Sequence, residues 1–262
     1  MTVDDPAWRA VGSSPDEGLE LLAGRDDPWA LWARGVCHMA FGDYDTAFAT
    51  WESVEWAGGE AAGLAAAAIA SGLRQLDEHA AALGYDRVAA GSTGAGRVDG
   101  LIGTAADHIG MADAAGARRA LDLAQVHLLD WRDRVRFSWV SAEWALLTGA
   151  PHEAVRHCDA ALAAARAAGS VRHRVKSALF LAVARDTAVP GSGAEGLHRV
   201  AAEAAAARLR PLVWPAVLVL GERADSRERE ASREAVAHIA HHLPPGTGSR
   251  WGGYALRDGD IL

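Results

Sequence analysis

The sequence predicts an all-α protein built from consecutive helical hairpins, and two observations support this fold class. Half of the 262 residues are apolar, yet only 6% are aromatic and alanine is the commonest residue. That composition favours closely packed helices over strands, which are rich in Val, Ile and Thr. Small residues also recur about every 35 positions, the length of one helical hairpin in a repeat array. The chain therefore predicts one elongated repeat domain.

Three series of small residues share this period. In the first hairpin they start at Gly35, Ala47 and Val54, and each recurs at steps of 35, 35 and 37 residues. The recurrences are Ala70, Ala105 and Ala142 for the first series, Ala82, Ala117 and Ala154 for the second, and Ala89, Ala124 and Ala161 for the third. Helices within a hairpin approach to about 8–10 Å, which leaves no room for a branched side chain at the crossing. The three series therefore mark helix crossings.

The first hairpin resembles the tetratricopeptide repeat (TPR). Gly35 is the small residue of its first helix, Gly42-Asp43-Tyr44 forms the turn, and Ala47 and Trp51 follow in the second helix. Later hairpins keep the crossing alanine but replace the aromatic of Trp51 by Asp86, Leu121 and Cys158. The resemblance implies a right-handed α–α superhelix, a TPR-like solenoid of about six hairpins. It also implies that the first helices line the concave face.

We expect three regions along the chain. Residues 1–27 form a capping segment, with a short helix that begins after Ser14, ends near Ala23 and covers the open edge of the first hairpin. Residues 28–243 form the repeat domain, in which 171–209 is the fifth hairpin and 212–242 the sixth. Residues 244–262 form a Gly-rich tail that we expect to dock partly on the array.

Charge and sequence pattern exclude several classes of protein. A net charge of −8 argues against nucleic-acid binding, which needs a basic surface. Residues 1–6 lack the charged and apolar stretches of a secretory leader, and the apolar run 212–220 is too short to span a bilayer. Cys37 and Cys158 have neither disulfide nor zinc spacing. We therefore expect a cytoplasmic protein with reduced thiols and no membrane partner.

No catalytic or cofactor motif stands out in the sequence. The segment 91–98 has the glycine spacing of a phosphate-binding loop, but Arg97 and Val98 occupy the positions that need lysine and a metal-binding hydroxyl. Nucleophile-elbow, zinc-protease and dinucleotide-binding motifs are absent from the chain. The segment 91–98 is interpreted as a linker between hairpins. The sequence thus predicts that the protein is not an enzyme and needs no cofactor.

Three histidines near the C-terminal end of the last predicted helix are a weak metal candidate. His238 and His242 share a helical face and could bind a metal with one further ligand, but the sequence fixes no carboxylate beside them. Histidines also suit the negative end of a helix dipole. A solvated helix end is therefore the preferred interpretation for His238, His241 and His242, and no metal site is predicted.

Two basic runs, 131–136 and 172–176, each begin a first helix. Because successive hairpins stack, we expect these runs to form one basic patch that receives carboxylates through arginine. The carboxylate clamp of peptide-binding tetratricopeptide proteins uses lysines and asparagines, whereas this chain has one lysine, Lys176, and no asparagine. The predicted partner-binding residues are Trp32, Met39, Arg74, Arg132, Arg136, Trp139, Glu143, Arg172, Arg174 and Lys176. The alternative is that Asp130, Asp133 and Glu143 already pair with these arginines within the repeat.

The leading functional hypothesis is a scaffold or adaptor. It would bind a protein segment, an acidic peptide or a peptide C-terminus on the concave face. The alternative is a regulatory or sensory helical-repeat module that binds a small effector and controls a partner protein. Both hypotheses leave the oligomeric state open.

Overall fold

The structure is a computed structural model that describes residues 5–244, and within this range the chain is helical with no strands. This confirms the all-α class. The helices are α1 (Pro6–Ala10), α2 (Pro15–Leu21), α3 (Pro28–Phe41), α4 (Tyr44–Glu52), α5 (Gly59–Gln75), α6 (His79–Ala90), α7 (Gly94–Gly110), α8 (Ala114–Gln125), α9 (Trp131–Leu147), α10 (Pro151–Ala167), α11 (Val171–Ala188), α12 (Ala194–Ala206), α13 (Arg210–Leu220) and α14 (Ser226–His241). Short 3-10 helices lie at Glu55–Ala57 and Gly221–Arg223.

Helices α3 to α14 form six hairpins, in which each odd-numbered helix packs against the even-numbered helix that follows it. The odd-numbered helices also pack against one another in chain order, from α3 through α13. They therefore form an inner layer. No helix within residues 5–244 is long and apolar enough to cross a membrane.

The last hairpin returns to the first, so the six hairpins close into a ring. Helix α13 packs against α3, and Arg210 Nη1 donates to the carbonyl oxygen of Phe41 at 3.0 Å. The backbone N–H of Asp45 donates to the carbonyl oxygen of His242 at 2.8 Å. Val236 and Ile239 of α14 belong to the same buried core as the first hairpin. In an open solenoid the terminal hairpins would be solvated, whereas closure buries their apolar faces against each other.

All members of the three small-residue series are buried, and Gly35 shows why a small residue is needed at such a position. At Gly35 of α3, a Cβ atom would lie 2.3 Å from Nε1 of Trp51 in α4. That nitrogen donates to the carbonyl oxygen of Trp32 at 3.0 Å. Gly35 therefore permits both the close approach of the two helices and the hydrogen bond that joins them.

The N-terminal segment differs in part from its prediction. Helix α2 occupies the predicted range, and Ser14 is its N-cap residue but makes no side-chain capping bond. An additional helix, α1, precedes it. The segment also reaches across the ring, because the carbonyl oxygen of Gly12 accepts from Ser170 Oγ at 3.0 Å and from the Arg172 N–H at 3.1 Å. It thus spans from the first hairpin to the start of α11 and does more than cover one open edge.

The segment 91–98 is only partly a linker. Helix α6 ends at Ala90 and α7 begins at Gly94, so residues 94–98 are helical. The predicted docking of the C-terminal tail falls on residues 245–262, which lie outside the described residues.

Candidate ligand site inside the ring

The inner helices surround two adjoining chambers that share Ser71, Gln75, Arg136 and Lys176. The smaller, which we call the basic chamber, has a volume of about 70 Å³ and is lined mainly by α3, α5, α9, α11 and the start of α13. The larger, which we call the wide chamber, has a volume of about 500 Å³ and is lined by α5, α7, α9 and α11, together with His79 at the start of α6. Ligand pockets of proteins typically measure about 300–1,000 Å³, so the wide chamber is large enough for a small organic molecule.

The basic chamber is named for its charges, because four cations and one carboxylate line it. The cations are Arg132, Arg136, Arg172 and Lys176, and the carboxylate is Asp99. Helices α9 and α11 supply all four cations from their first two turns, as the stacking of successive hairpins predicts. The lining therefore carries an excess of positive formal charge.

Asp99 neutralises part of this charge. Arg132 binds it with both nitrogens, Nη1 to Oδ1 at 3.0 Å and Nη2 to Oδ2 at 2.7 Å. Arg136 Nε lies 2.9 Å from the same Oδ1 atom. Burial raises the pKa of Asp99, but the two guanidinium groups more than offset this and hold its pKa below the usual value. Asp99 is thus a charged anchor for two of the four cations.

Arg172 and Lys176 remain without a carboxylate partner. Among residues 5–244, no carboxylate oxygen lies within 4.0 Å of either cationic group. Burial lowers the pKa of Arg172 to about 10, and repulsion by Arg136 and Arg132 adds to this effect. Burial, together with repulsion by Arg172 and Arg136, also lowers the pKa of Lys176 to about 7, although the Glu143 carboxylate, beyond 4.0 Å, opposes this shift. Unpaired cations in a partly desolvated site favour an added anion, which would remove this cost.

The wide chamber is mainly apolar with a few ionisable groups. Ile102, Ala106, Trp139, Leu146 and Phe180 contribute much of the apolar lining. Trp139 is held by a hydrogen bond from its Nε1 to Ser177 Oγ at 2.9 Å and by stacking against Phe180. An apolar wall beside a basic chamber is suited to a ligand with an apolar body and an anionic head.

Arg74 lies at the wide chamber but is already paired. It contacts Asp86, and its Nη1 donates to Asp107 Oδ1 at 3.1 Å. Both aspartates are fully buried, and desolvation raises the pKa of Asp86 well above its usual value. Glu143 also lines this chamber, and burial raises its pKa despite the attraction of Lys176 and Arg74. Arg74 therefore holds the hairpins together.

The structure gathers most of the predicted partner-binding residues around the two chambers. Trp32, Met39, Arg132, Arg136, Arg172 and Lys176 line the basic chamber, and Arg74, Arg136, Trp139, Glu143 and Lys176 line the wide chamber. Arg174 is the exception, because it pairs with Glu203 of α12 on the outer side of α11. Arg174 faces away because it lies two positions from both Arg172 and Lys176. Two positions correspond to a rotation of about 200° around a helix.

The sequence did not predict Asp99 as the carboxylate that pairs with the arginines of the basic chamber. It also did not predict that the N-terminal segment contacts this chamber. Asp99 pairs with Arg132 and Arg136. Of the carboxylates in the alternative, Asp133 also forms an ion pair with Arg132, at 3.9 Å, whereas Asp130 caps α9. The Arg132 guanidinium also lies 5.1 Å from the ring centre of Trp8, in the N-terminal segment. Asp99 precedes Arg132 by 33 residues and Arg74 precedes Asp107 by 33 residues. Residues of opposite charge that lie nearly one repeat apart in the sequence could therefore have indicated both ion pairs.

Comparison with known proteins found no match to this chain among protein-family profiles, curated proteins or solved structures. The function is therefore inferred from the chambers themselves.

Proposed function

We propose that this protein is a ligand-binding module for a small organic acid, with the carboxylate held in the basic chamber and the apolar body in the wide chamber. The observation that carries the proposal is the presence of Arg172 and Lys176 in the basic chamber without a carboxylate partner among the described residues. An added carboxylate would pair with both groups and relieve their mutual repulsion.

The shared lining of the two chambers supports an amphipathic ligand. Arg136 and Lys176 belong to both chambers, so a head group at these cations has direct access to the apolar wall formed by Trp139 and Phe180. The basic chamber alone, at about 70 Å³, has room for a head group or a few water molecules.

The contact between Arg172 of the basic chamber and the N-terminal segment supports a regulatory role. Arg172 donates to the carbonyl oxygen of Val11 through Nη1 at 3.4 Å and to that of Gly12 through its backbone N–H at 3.1 Å. Movement of the Arg172 side chain toward a ligand would alter the packing of residues 5–27. We propose that ligand occupancy is communicated to a partner protein through this segment.

The ring geometry favours this small-effector hypothesis over the scaffold hypothesis. The six inner helices enclose the concave surface, and the N-terminal segment crosses the ring beside the basic chamber. A long protein segment would need the ring to open, whereas a small acid or the terminal residues of a peptide would not. Capture of a peptide through its C-terminal carboxylate thus stays a prediction that the same experiment tests.

The experiment is isothermal titration of the full-length protein with octanoate and phenylpropionate. Octanol and phenylpropanol serve as uncharged controls, inorganic phosphate as an anion without an apolar body, and a short peptide ending in leucine as a second source of carboxylate. We expect the two acids to bind and their alcohols to bind at least about tenfold more weakly, because a charged hydrogen bond contributes about 1.5–3 kcal/mol. Tighter binding of the peptide than of both acids would support the scaffold hypothesis.

The matched variants lie on one helix. Arg172→Gln and Lys176→Met should each weaken binding of the acids at least about tenfold. Arg174→Gln, whose side chain faces Glu203 outside the chambers, should change it less than about twofold. Absence of binding by the wild type, or equal losses in all three variants, would contradict the proposed function.

A further inference from the structure

The seam of the ring brings together side chains that lie far apart in the sequence. The turn between α3 and α4 contacts the C-terminal end of α14, where a Cβ atom on Gly42 would lie 3.1 Å from Ile239 Cγ1 and 3.2 Å from His238 Cδ2. Gly42 has a φ of 104°, a left-handed conformation that glycine adopts without strain. The glycine therefore allows the turn to approach α14 and to present Asp43 to it.

Asp43 supplies the carboxylate that the sequence did not fix beside the histidines. It is the N-cap residue of α4, yet its side chain makes no capping hydrogen bond. Its Oδ1 instead lies 2.7 Å from Nε2 of His238. The expectation of a solvated helix end at His238 and His242 is thereby corrected, because ring closure places both histidines against a half-buried carboxylate.

The three side chains have the geometry of a divalent metal site. His238 and His242 are four residues apart at the end of α14, and their ring centres are 4.6 Å apart. One ligand atom from each histidine and one from Asp43 all lie within 4.8 Å of one another. Tetrahedral Zn²⁺, with bonds of about 2.0–2.2 Å, needs ligand atoms roughly 3.3 Å apart. Small rotations of the side chains would bring the three groups to that spacing.

Neighbouring groups are placed to orient these ligands. Asp45 Oδ1 lies 3.5 Å from Nδ1 of His242, which would leave Nε2 of that ring for a metal. His38 Nδ1 is buried without a hydrogen-bond partner among the described residues and lies 3.5 Å from Asp43 Oδ2. Outer groups of this kind fix the orientation of histidine and carboxylate ligands in metal sites.

We propose that Asp43, His238 and His242 form a Zn²⁺ site that joins the last hairpin to the first. Two imidazole nitrogens and one carboxylate oxygen form a ligand set that Zn²⁺ accepts, with water in the fourth position. The metal would take the place of the direct contact between His238 Nε2 and Asp43 Oδ1. Because the ligands come from opposite sides of the seam, metal binding would stabilise the closed ring.

The test uses full-length protein stripped with a chelator and titrated with ZnCl₂. We expect one equivalent of Zn²⁺ to remain after gel filtration, measured by elemental analysis, and a rise in melting temperature on metal addition. Co²⁺ in place of Zn²⁺ should give the strong visible absorption of a four-coordinate site. Absence of stoichiometric binding by the wild type would overturn the proposal.

Variants identify the ligands. His238→Ala, His242→Ala and Asp43→Asn should each weaken Zn²⁺ binding at least about 100-fold and abolish the metal-dependent rise in melting temperature. His241→Ala, at the same helix end but outside the triad, should retain both. Circular dichroism of each metal-free variant separates loss of a ligand from loss of fold. Unchanged affinity in any folded triad variant, or an equal loss in His241→Ala, would overturn the assignment.

Discussion

Nζ of Lys176 lies 4.6 Å from the ring centre of Trp139 and 5.7 Å from that of Phe180, so the one lysine of the chain faces an aromatic surface. A lysine cation is attracted to the face of such rings. This contact does not restore the hydration that burial removes, and the pKa of Lys176 falls to about 7. The charge of the basic chamber therefore changes near neutral pH.

The first prediction is that octanoate binds more tightly at pH 6 than at pH 8. Lys176 is mainly protonated below its pKa of about 7 and mainly neutral above it. Above that pH, binding must take up a proton, so affinity should fall by up to about tenfold per pH unit. Titration calorimetry in buffers of different ionisation enthalpy measures both the affinity and the proton uptake.

Glu143 and His173 also lie near the site, and their effects on the pH dependence of anion binding can be stated. Glu143 has a raised pKa and loses charge on acidification, which also favours an anion, whereas the pKa of His173 lies well below 6.5, so His173 contributes no charge at neutral pH. In Lys176→Arg the cation persists at all these pH values, so the pH dependence should shrink. An unchanged pH profile in that variant would exclude Lys176 as its source.

The second prediction concerns Asp99, which anchors two buried arginines. Asp99→Asn would leave Arg132 and Arg136 without their shared carboxylate, and breaking a buried ion pair by removing one partner costs about 3–5 kcal/mol. Asp122→Asn is the control, because Asp122 pairs with Arg118 on the surface and should cost less than about 1 kcal/mol. Urea unfolding monitored by circular dichroism provides both values, and similar costs for the two variants would contradict the structural role of Asp99.

The third prediction tests the small-residue series at one position. Gly35→Ala should destabilise the protein by about 1–3 kcal/mol, because the new methyl group would overlap Trp51 and disturb its hydrogen bond to Trp32. Gly84→Ala in α6 is the control, since apart from its two chain neighbours and the local backbone of α6 no atom lies within 4 Å of the added Cβ. That substitution should stabilise by about 0.5–1 kcal/mol through helix propensity. Urea unfolding measures the change in the free energy of unfolding for each variant. Changes of the same sign would contradict the conclusion that Gly35 permits a close helix crossing.

The hairpins could be predicted from the sequence because local pattern determines them. The series that begins at Gly35 marks closely packed crossings. Helix α11 begins at Val171 and α14 ends at His241, within one residue of the predicted start of the fifth hairpin and the predicted end of the sixth. The sequence also predicted that the basic side chains would lie together, because the two basic runs lie near the starts of the first helices of stacked hairpins. These side chains are Arg132, Arg136, Arg172 and Lys176.

Ring closure could not be predicted in the same way. It depends on small rotations between successive hairpins that add up over the array, and no single residue pattern encodes their sum. The contact of Asp43 with His238 spans 195 residues and exists only because of closure. The failed placement of Arg174 has a simpler cause, because the run 172–176 was treated as one patch although helical geometry separates its faces.

The fourth prediction is that acidification destabilises the ring through His173. This side chain is buried, contacts Trp131 edge-on and stacks on Trp139, and its Nδ1 lies 2.8 Å from Ser170 Oγ. Burial lowers the pKa of His173 well below 6.5, and nearby cations, first Arg172, lower it further. The unfolded chain therefore binds more protons than the folded chain as pH falls below about 6.5.

Under this linkage, His173 contributes stability above pH 6.5 that is lost as the pH falls toward the folded-state pKa. The loss should reach about 1.4 kcal/mol per pH unit within that window. Urea unfolding of the wild type and of His173→Gln at pH 7, 6 and 5 measures it. The variant should be less stable at pH 7, because glutamine does not fill the space between the two tryptophans, but its stability should change less with pH. Equal slopes for the two proteins would show that other groups control acid unfolding, because His173 is the only ionisable group that the substitution removes.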